Sequence, residues 1–147
     1  MNRRSAIVVA LLAFVALAPA VAAKKAHAEK PADALLHAEY FSVWGVGYAG
    51  TPTENERAFQ AFMETKPAIA EVLRLIDDGT SAGKIYGLLA LKILSPDQFA
   101  KIAPTFSKQR TGVKILHGCD PSPSTESTAK LVRGITEGTV VHQARHK

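Results

Sequence analysis

The residues best suited to chemistry stand together late in the chain, in the segment His117-Gly118-Cys119-Asp120. A cysteine close to a histidine can act as a nucleophile beside its general base. Neighbours in sequence seldom have the geometry that such a pair needs, and Gly118 leaves the segment loose. We therefore predict no catalytic residue, and we keep Cys119 and His117 only as candidates.

The same two residues also belong to a candidate metal site. His142 and His146 are spaced i, i+4, and with His117 and Cys119 they make a set of four ligands of the kind that zinc prefers. The chain has one cysteine, so an intrachain disulfide is excluded. The alternatives are an interchain disulfide, a redox-sensitive thiol, or a buried structural cysteine. We favour the buried cysteine, with no metal and no cofactor.

A glycine-rich segment, Gly45-Val46-Gly47-Tyr48-Ala49-Gly50, matches the G-x-G-x-x-G pattern of dinucleotide-binding loops. In that motif the last glycine opens a helix, whereas Thr51-Pro52 delays the helix here. No second βαβ unit follows. The glycines therefore predict turns with positive φ and close packing of the backbone.

Two further groups of side chains have both a functional and a structural interpretation. The acidic residues of the first main helix are spaced for one solvated face and not for a catalytic cleft: Glu54, Glu56 and Glu64, with Arg57. An aromatic cluster either lines a ligand groove or closes the end of a helical core: Tyr40, Phe41, Trp44 and Tyr48.

The N-terminal residues predict the compartment in which any such site would work. Met1–Arg4 is basic, Ala6–Ala18 is apolar, and residues 19–23 are small apart from Pro19 and Val21. This is the pattern of a signal peptide over residues 1–23, and it predicts an exported protein, periplasmic or secreted. The apolar run is shorter than the roughly 20 residues that a spanning helix needs. A retained anchor, and a cleavage site just before Glu29, remain alternatives.

The distribution of charge does not favour nucleic acid as a partner. The formal net charge is +5, and removal of Arg3 and Arg4 lowers it by two to +3. No run of basic residues with interleaved aromatic residues occurs, so nucleic-acid binding is not supported. After cleavage, no later segment is long and apolar enough to span a membrane.

The elements that must position these residues are mostly helices. We expect a flexible leader over residues 24–33, a single helical domain over 34–141 and a polar tail over 142–147. A short helix over Ala34–Tyr40 precedes the glycine-rich extended segment. Thr53 and Glu56 form a capping box that begins the first main helix, which ends near Thr65.

The next helix is expected to carry Pro67 in its first turn and to end at Gly79 in a left-handed conformation. Thr80 or Ser81 begins a third helix that is apolar on most sides, which is typical of the centre of a core. A fourth helix begins at Ser95-Pro96, and Pro104 should kink or end it.

The last part of the domain is less regular. Thr111–Leu116 is a strand or an extended return, and Pro121–Thr125 is a loop. A final helix is expected over Thr125–Ile135, interrupted by Gly134 and Gly138.

The second and third main helices resemble one helical pair of a HEAT or armadillo repeat, over about residues 67–99. Lys84, Gly87 and Ala90 stand where such repeats place a basic residue and small residues that face the partner helix. The usual proline and aspartate between the helices are replaced by Asp78-Gly79-Thr80. The resemblance implies a mostly α fold of short antiparallel helical hairpins, protein binding on a helical surface, and no catalysis.

Together these features predict an exported small helical domain with a protein-interaction or structural role, and more likely no enzymatic one. The alternative is a small exported enzyme or metal-binding protein centred on His117 and Cys119.

Overall fold

The computed structural model describes residues 30–47, 49–118 and 120–141, and these are mostly helical with one two-stranded antiparallel hairpin. The predicted mostly α class is therefore confirmed. The elements are α1 (Pro31–Leu36), α2 (Glu54–Glu64), α3 (Ile69–Asp78), α4 (Ser81–Leu94), α5 (Pro96–Phe106), β1 (Gly112–His117), β2 (Asp120–Ser127) and α6 (Thr128–Glu137). Helical backbone resumes over residues 139–141.

Helix α4 lies at the centre of the core, as its nearly continuous apolar sequence predicts. It packs against α1, α3, α5, α6 and β1. Ile85, Leu88 and Leu89 have no exposed surface, whereas Ile93 is half-buried at the end of the helix. A helix with apolar residues all round its axis is stable only when other elements cover every side of it.

The start of the domain differs from the prediction. Helix α1 spans Pro31–Leu36 instead of Ala34–Tyr40, so it begins inside the segment expected to be a leader. Proline suits the first turn of a helix because its φ is already helical and its missing N–H needs no partner there. The helix is held in place because Leu35 and Leu36 are buried.

The capping box at the start of α2 is confirmed. The Thr53 hydroxyl accepts a hydrogen bond from the Glu56 N–H, and the Glu56 carboxylate accepts one from the Thr53 N–H. Glu56 itself is only 3% exposed, so the prediction that it lies on a solvated face was wrong. Its carboxylate is bonded to backbone on two sides, which a helical wheel does not reveal.

Helix α3 ends at Asp78 as expected, but the conformation of the residue that follows was predicted wrongly. Gly79 is extended, with φ −70° and ψ 160°, and is not a left-handed cap. A glycine is needed there because a Cβ would overlap the Leu75 carbonyl oxygen. Helix α5 continues through Pro104 to Phe106, so Pro104 does not end it, and the predicted kink stays a prediction. Pro67 precedes α3, which begins at Ile69.

The C-terminal part contains a hairpin where one strand and a loop were expected. Strand β1 confirms the strand interpretation of residues 111–116, but Pro121–Thr125 belongs to strand β2 and is not a loop. The pairing runs from Gly112 opposite Ser127 to His117 opposite Asp120, with an irregularity between Ile115 and His117. Helix α6 accordingly starts at Thr128, and its end is capped by Gly138 with φ 82°.

Alternation along the ladder explains how β2 tolerates proline. Phe41 N–H donates to the Lys114 carbonyl, and Leu116 N–H donates to the Phe41 carbonyl. The backbone groups of these two β1 residues therefore point toward Phe41 and away from β2. The backbone N–H and carbonyl of Ile115 therefore point toward β2, where Ser124 is the partner residue. Pro123, the neighbour of Ser124, then lies on the outer edge, where a missing N–H breaks no bond of the hairpin.

Among the described residues, no helix combines the length and the apolar character needed to cross a membrane.

Candidate functional site

A surface groove forms where β1, β2 and α6 meet the segment that contains Trp44. We call it the Trp44 groove, and its volume is about 510 Å³. Its lining combines aliphatic and aromatic side chains with a few polar ones: Trp44, Ile115, His117, Gly118, Glu126, Lys130, Leu131, Gly134, Thr139 and Val140.

The floor of the groove comes from β1. Val113 and Ile115 alternate with exposed Lys114, and both are buried, with at most 4% exposed surface. This alternation gives the strand one face toward the core. Ile115 is the member of that face that also borders the groove.

One wall comes from α6 and the residues that follow it. Leu131 is buried on the inner side of the helix. After Gly138 the chain turns back, and the Thr139 hydroxyl donates to the Gly134 carbonyl. A Cβ on Gly134 would lie 3.1 Å from Val140 Cγ2, so the glycine lets Val140 pack against the helix. The close approach places Val140 in the wall.

A second wall is formed by Trp44, which is half-buried and contacts two other rings. Its ring meets Phe41 edge-on at 5.8 Å and His117 edge-on at 6.2 Å, between ring centroids. Edge-to-face pairs at such distances are favourable for aromatic rings. The packing fixes the indole at the border between core and groove.

The two charged residues of the rim form an ion pair with each other. Lys130 Nζ lies 2.6 Å from Glu126 Oε1, and the two residues are spaced i, i+4 across the junction of β2 and α6. Exposed pairs of this kind contribute little to stability. They do give the groove a polar border around an apolar centre.

Of the four candidates for catalysis or metal binding, the structure describes His117, which lies exposed at the mouth of the groove. Its Nε2 is 3.5 Å from the Ser124 hydroxyl, which is at the outer limit of a hydrogen bond. Such a contact is too long to activate the serine as a nucleophile in this conformation.

The other candidates for catalysis and metal binding are Cys119, His142 and His146, which lie outside the described residues. The thiol and zinc alternatives that involve them stay hypotheses. Within residues 30–47, 49–118 and 120–141, no three histidine, cysteine or acidic side chains are grouped to hold a metal ion.

The glycine-rich segment has the turn geometry that its sequence predicts. Gly45, Gly47 and Gly50 all have positive φ, between 59° and 78°. Of the aromatic cluster, Phe41 is a core residue and Trp44 borders the groove. Tyr48 lies outside the described residues. The core interpretation therefore holds for Phe41, and the interpretation as a ligand groove stays a prediction.

A buried polar cluster lies beside this site, in the core. The Tyr86 hydroxyl donates to the Ser42 carbonyl at 2.8 Å and accepts from the Ser42 N–H at 3.0 Å. Burial raises the pKa of Tyr86 above its usual range. Among the described atoms, the Ser42 hydroxyl is buried without a hydrogen-bond partner. The geometry is that of a structural tie between α4 and the segment around Ser42.

Sequence reasoning found Trp44 and His117 but missed the α6 side of the groove. Leu131 and Gly134 join it because α6 packs beside β2, and Val140 joins it because the chain turns back after Gly138. The i, i+4 spacing of Glu126 and Lys130 is visible in the sequence. Both residues lie in the helix expected over Thr125–Ile135, whereas in the structure Glu126 belongs to β2 and Lys130 to α6. Comparison with family models, with curated proteins and with solved structures finds no match to this chain.

Proposed function

We propose that this chain is an exported binding domain without catalytic activity, which takes an apolar side chain of another protein into the Trp44 groove. The observation that carries the proposal is the make-up of that groove. Trp44, Ile115, Leu131 and Val140 form an apolar centre, and the Glu126–Lys130 pair and His117 form a polar rim. Protein interfaces have this anatomy, and tryptophan is enriched at their strongest contacts.

The rim favours a protein segment over a small molecule as the occupant. Small-molecule sites orient their ligand with a few convergent polar groups. In the described lining, the two fully charged side chains are paired with each other at 2.6 Å. A protein segment can insert one apolar anchor and let its polar neighbours contact the paired rim.

Two features of the sequence support the rest of the proposal. The N-terminal pattern of residues 1–23 supports export. The hairpin-like pair α3 and α4 supports a short repeat-like helical architecture, since Gly87 lies against α3 and Lys84 caps its end. Lys84 Nζ donates to the carbonyls of Ile76 and Asp77.

The test uses two probes: N-acetylphenylalanine amide, and a capped pentapeptide with one phenylalanine between a lysine and a glutamate. We expect the capped amino acid to bind with a dissociation constant on the order of 1 mM, given its size. The peptide should bind more tightly because its charges reach the rim. NMR shifts should concentrate at the amides of Gly118, Gly134 and Val140.

The matched variants are Trp44→Ala, which removes one wall, and Leu94→Ala, which removes the exposed apolar residue at the end of α4. Binding should be lost in the first and kept in the second. Shifts scattered over the surface, or equal shifts with N-acetylserine amide, contradict the proposal. Equal affinity for peptide and capped amino acid points to a small apolar ligand instead.

A second candidate function rests on His117, which stands at the mouth of the groove 3.5 Å from the Ser124 hydroxyl. In this alternative, His117 and Cys119 form the centre of a small exported enzyme or metal site. Zinc that protects Cys119 from a thiol reagent in the wild type, but not in His117→Ala, supports it. Equal labelling with and without zinc removes the metal version.

A further inference from the structure

We infer that Glu56 is a positioning residue for the Trp44 groove: its buried carboxylate fixes the backbone next to Trp44 and thereby the wall that Trp44 forms. The link to binding rests on the function proposed above. The positioning itself does not, since it concerns the place of Trp44 in the free protein.

The carboxylate joins two separate pieces of backbone. Oε1 accepts from the Gly45 N–H and Oε2 accepts from the Thr53 N–H, both at 2.8 Å. Glu56 is 3% exposed and Gly45 is buried. The bond to Thr53 completes the capping box, so the helix accounts for it. The bond to Gly45 spans 11 residues and serves no helix end.

Gly45 directly follows Trp44, and the turn behind it is fixed at a second point. Val46 and Thr51 exchange two backbone hydrogen bonds, of 2.9 and 3.0 Å. Gly47 N–H donates to the Gly118 carbonyl at 2.8 Å, beside the mouth of the groove. The turn is therefore held by α2 on one side and by the end of β1 on the other, with Trp44 at its start.

The chemistry of the two bonds requires a carboxylate. Both partners are N–H donors, so both side-chain oxygens must accept. A carboxamide offers one acceptor and would turn its NH₂ group toward the other donor. An apolar side chain would leave both donors without a partner, and a buried unpaired N–H group is costly. The segment would then move to find water, and Trp44 would move with it.

The experiment compares Glu56→Met, which removes both acceptors at similar length, with Thr53→Val. The second variant removes the hydroxyl half of the capping box and leaves the Glu56–Gly45 bond in place. The chain has one tryptophan, so its emission reports on Trp44 alone. Hydrogen exchange at the Gly45 amide, acrylamide quenching of Trp44 and binding of N-acetylphenylalanine amide are measured on each protein.

In Glu56→Met we expect exchange at Gly45 to rise about tenfold or more, which corresponds to the loss of a bond to a charged group. Trp44 should become more accessible to acrylamide, and the probe should bind more weakly. Thr53→Val should lower the unfolding midpoint while Trp44 quenching stays as in the wild type. Unchanged Gly45 exchange and Trp44 quenching in Glu56→Met overturn the inference.

Two further results keep the inference apart from the proposed function and from a simple folding defect. If the wild type does not bind the probe but Trp44 still moves in Glu56→Met, positioning stands and the binding proposal fails. If Glu56→Met does not fold, Glu56→Gln provides the comparison. In Glu56→Gln, acrylamide quenching of Trp44 and hydrogen exchange at the Gly45 amide should either both change or both stay as in the wild type. A change in one without the other overturns the inference.

Discussion

At the scale of single residues, one phenol determines how the segment before the glycine-rich turn meets the core. Tyr86 bonds both the N–H and the carbonyl of Ser42, which lies 44 positions away in sequence. The ring is fully buried between Phe41 and Phe59. Because burial penalises the phenolate, the pKa of Tyr86 is raised. The residue is thus both an anchor and a source of pH dependence.

We predict that Tyr86→Phe destabilises the domain by about 1–3 kcal/mol, because it leaves two buried backbone groups without their partner. It should also remove a loss of stability in alkali. An unfolded tyrosine releases its proton near pH 10, while the folded Tyr86 retains it. Above that pH the folded state binds one more proton, so the free energy of unfolding falls by about 1.4 kcal/mol per pH unit.

Urea unfolding at several pH values between neutrality and strong alkali measures both effects. Tyr40→Phe is the control, because Tyr40 is only half-buried. The wild type and Tyr40→Phe should share the alkaline slope, and Tyr86→Phe should be flatter. Identical slopes in all three proteins would mean that Tyr86 ionises in the folded state as it does when unfolded.

At the scale of elements, glycine in the middle of α4 sets the distance to α3. A Cβ on Gly87 would lie 2.7 Å from Ile76 Cγ1 and 3.0 Å from Leu75 Cβ. Alanine is the better helix former by about 1 kcal/mol. The overlap with a packed neighbouring helix opposes that gain. The small residue is therefore required by packing between the helices and not by the helix itself.

We predict that Gly87→Ala is destabilising by about 1–3 kcal/mol, the usual cost of overpacking. Urea midpoints of the wild type and the variant measure it. Ala100→Gly on the exposed side of α5 is the companion change, and it should cost about 1 kcal/mol through helix propensity alone. A stabilised Gly87→Ala would show that α3 and α4 are farther apart than the structure has them.

The strand β2 shows the limit of local propensity at this scale. Two prolines and four serine or threonine residues in Asp120–Ser127 are typical of a loop, and a loop was expected. The segment is a strand because β1 supplies an ordered partner. Proline is tolerated where the N–H would point away from that partner. Pairing with a distant segment therefore overrode the local preference.

At the scale of the whole molecule, the proposed export requires removal of the N-terminal signal. We predict that the mature protein lacks residues 1–23. The mass of the intact protein from the exported fraction measures this directly. A mass that instead begins at Glu29 selects the later cleavage site. The mass of the full chain would favour a retained N-terminal anchor.

Reading the sequence alone is enough to predict the helical class, the central position of α4 and the capping box of Thr53 and Glu56. These follow from periodicity and from contacts within four residues, which a linear pattern contains. It also singled out Trp44 and His117 as residues of interest, through their types alone.

The surroundings of those residues depend on the tertiary structure. The burial of Glu56, the tie between Tyr86 and Ser42, and the meeting of Trp44 with Leu131 and Val140 join segments that are 11 to 96 positions apart. Such contacts depend on how the elements pack, and packing is a property of all of them together. A pattern of spacing within one element cannot specify which distant backbone group will receive a carboxylate, or which helix will complete a groove.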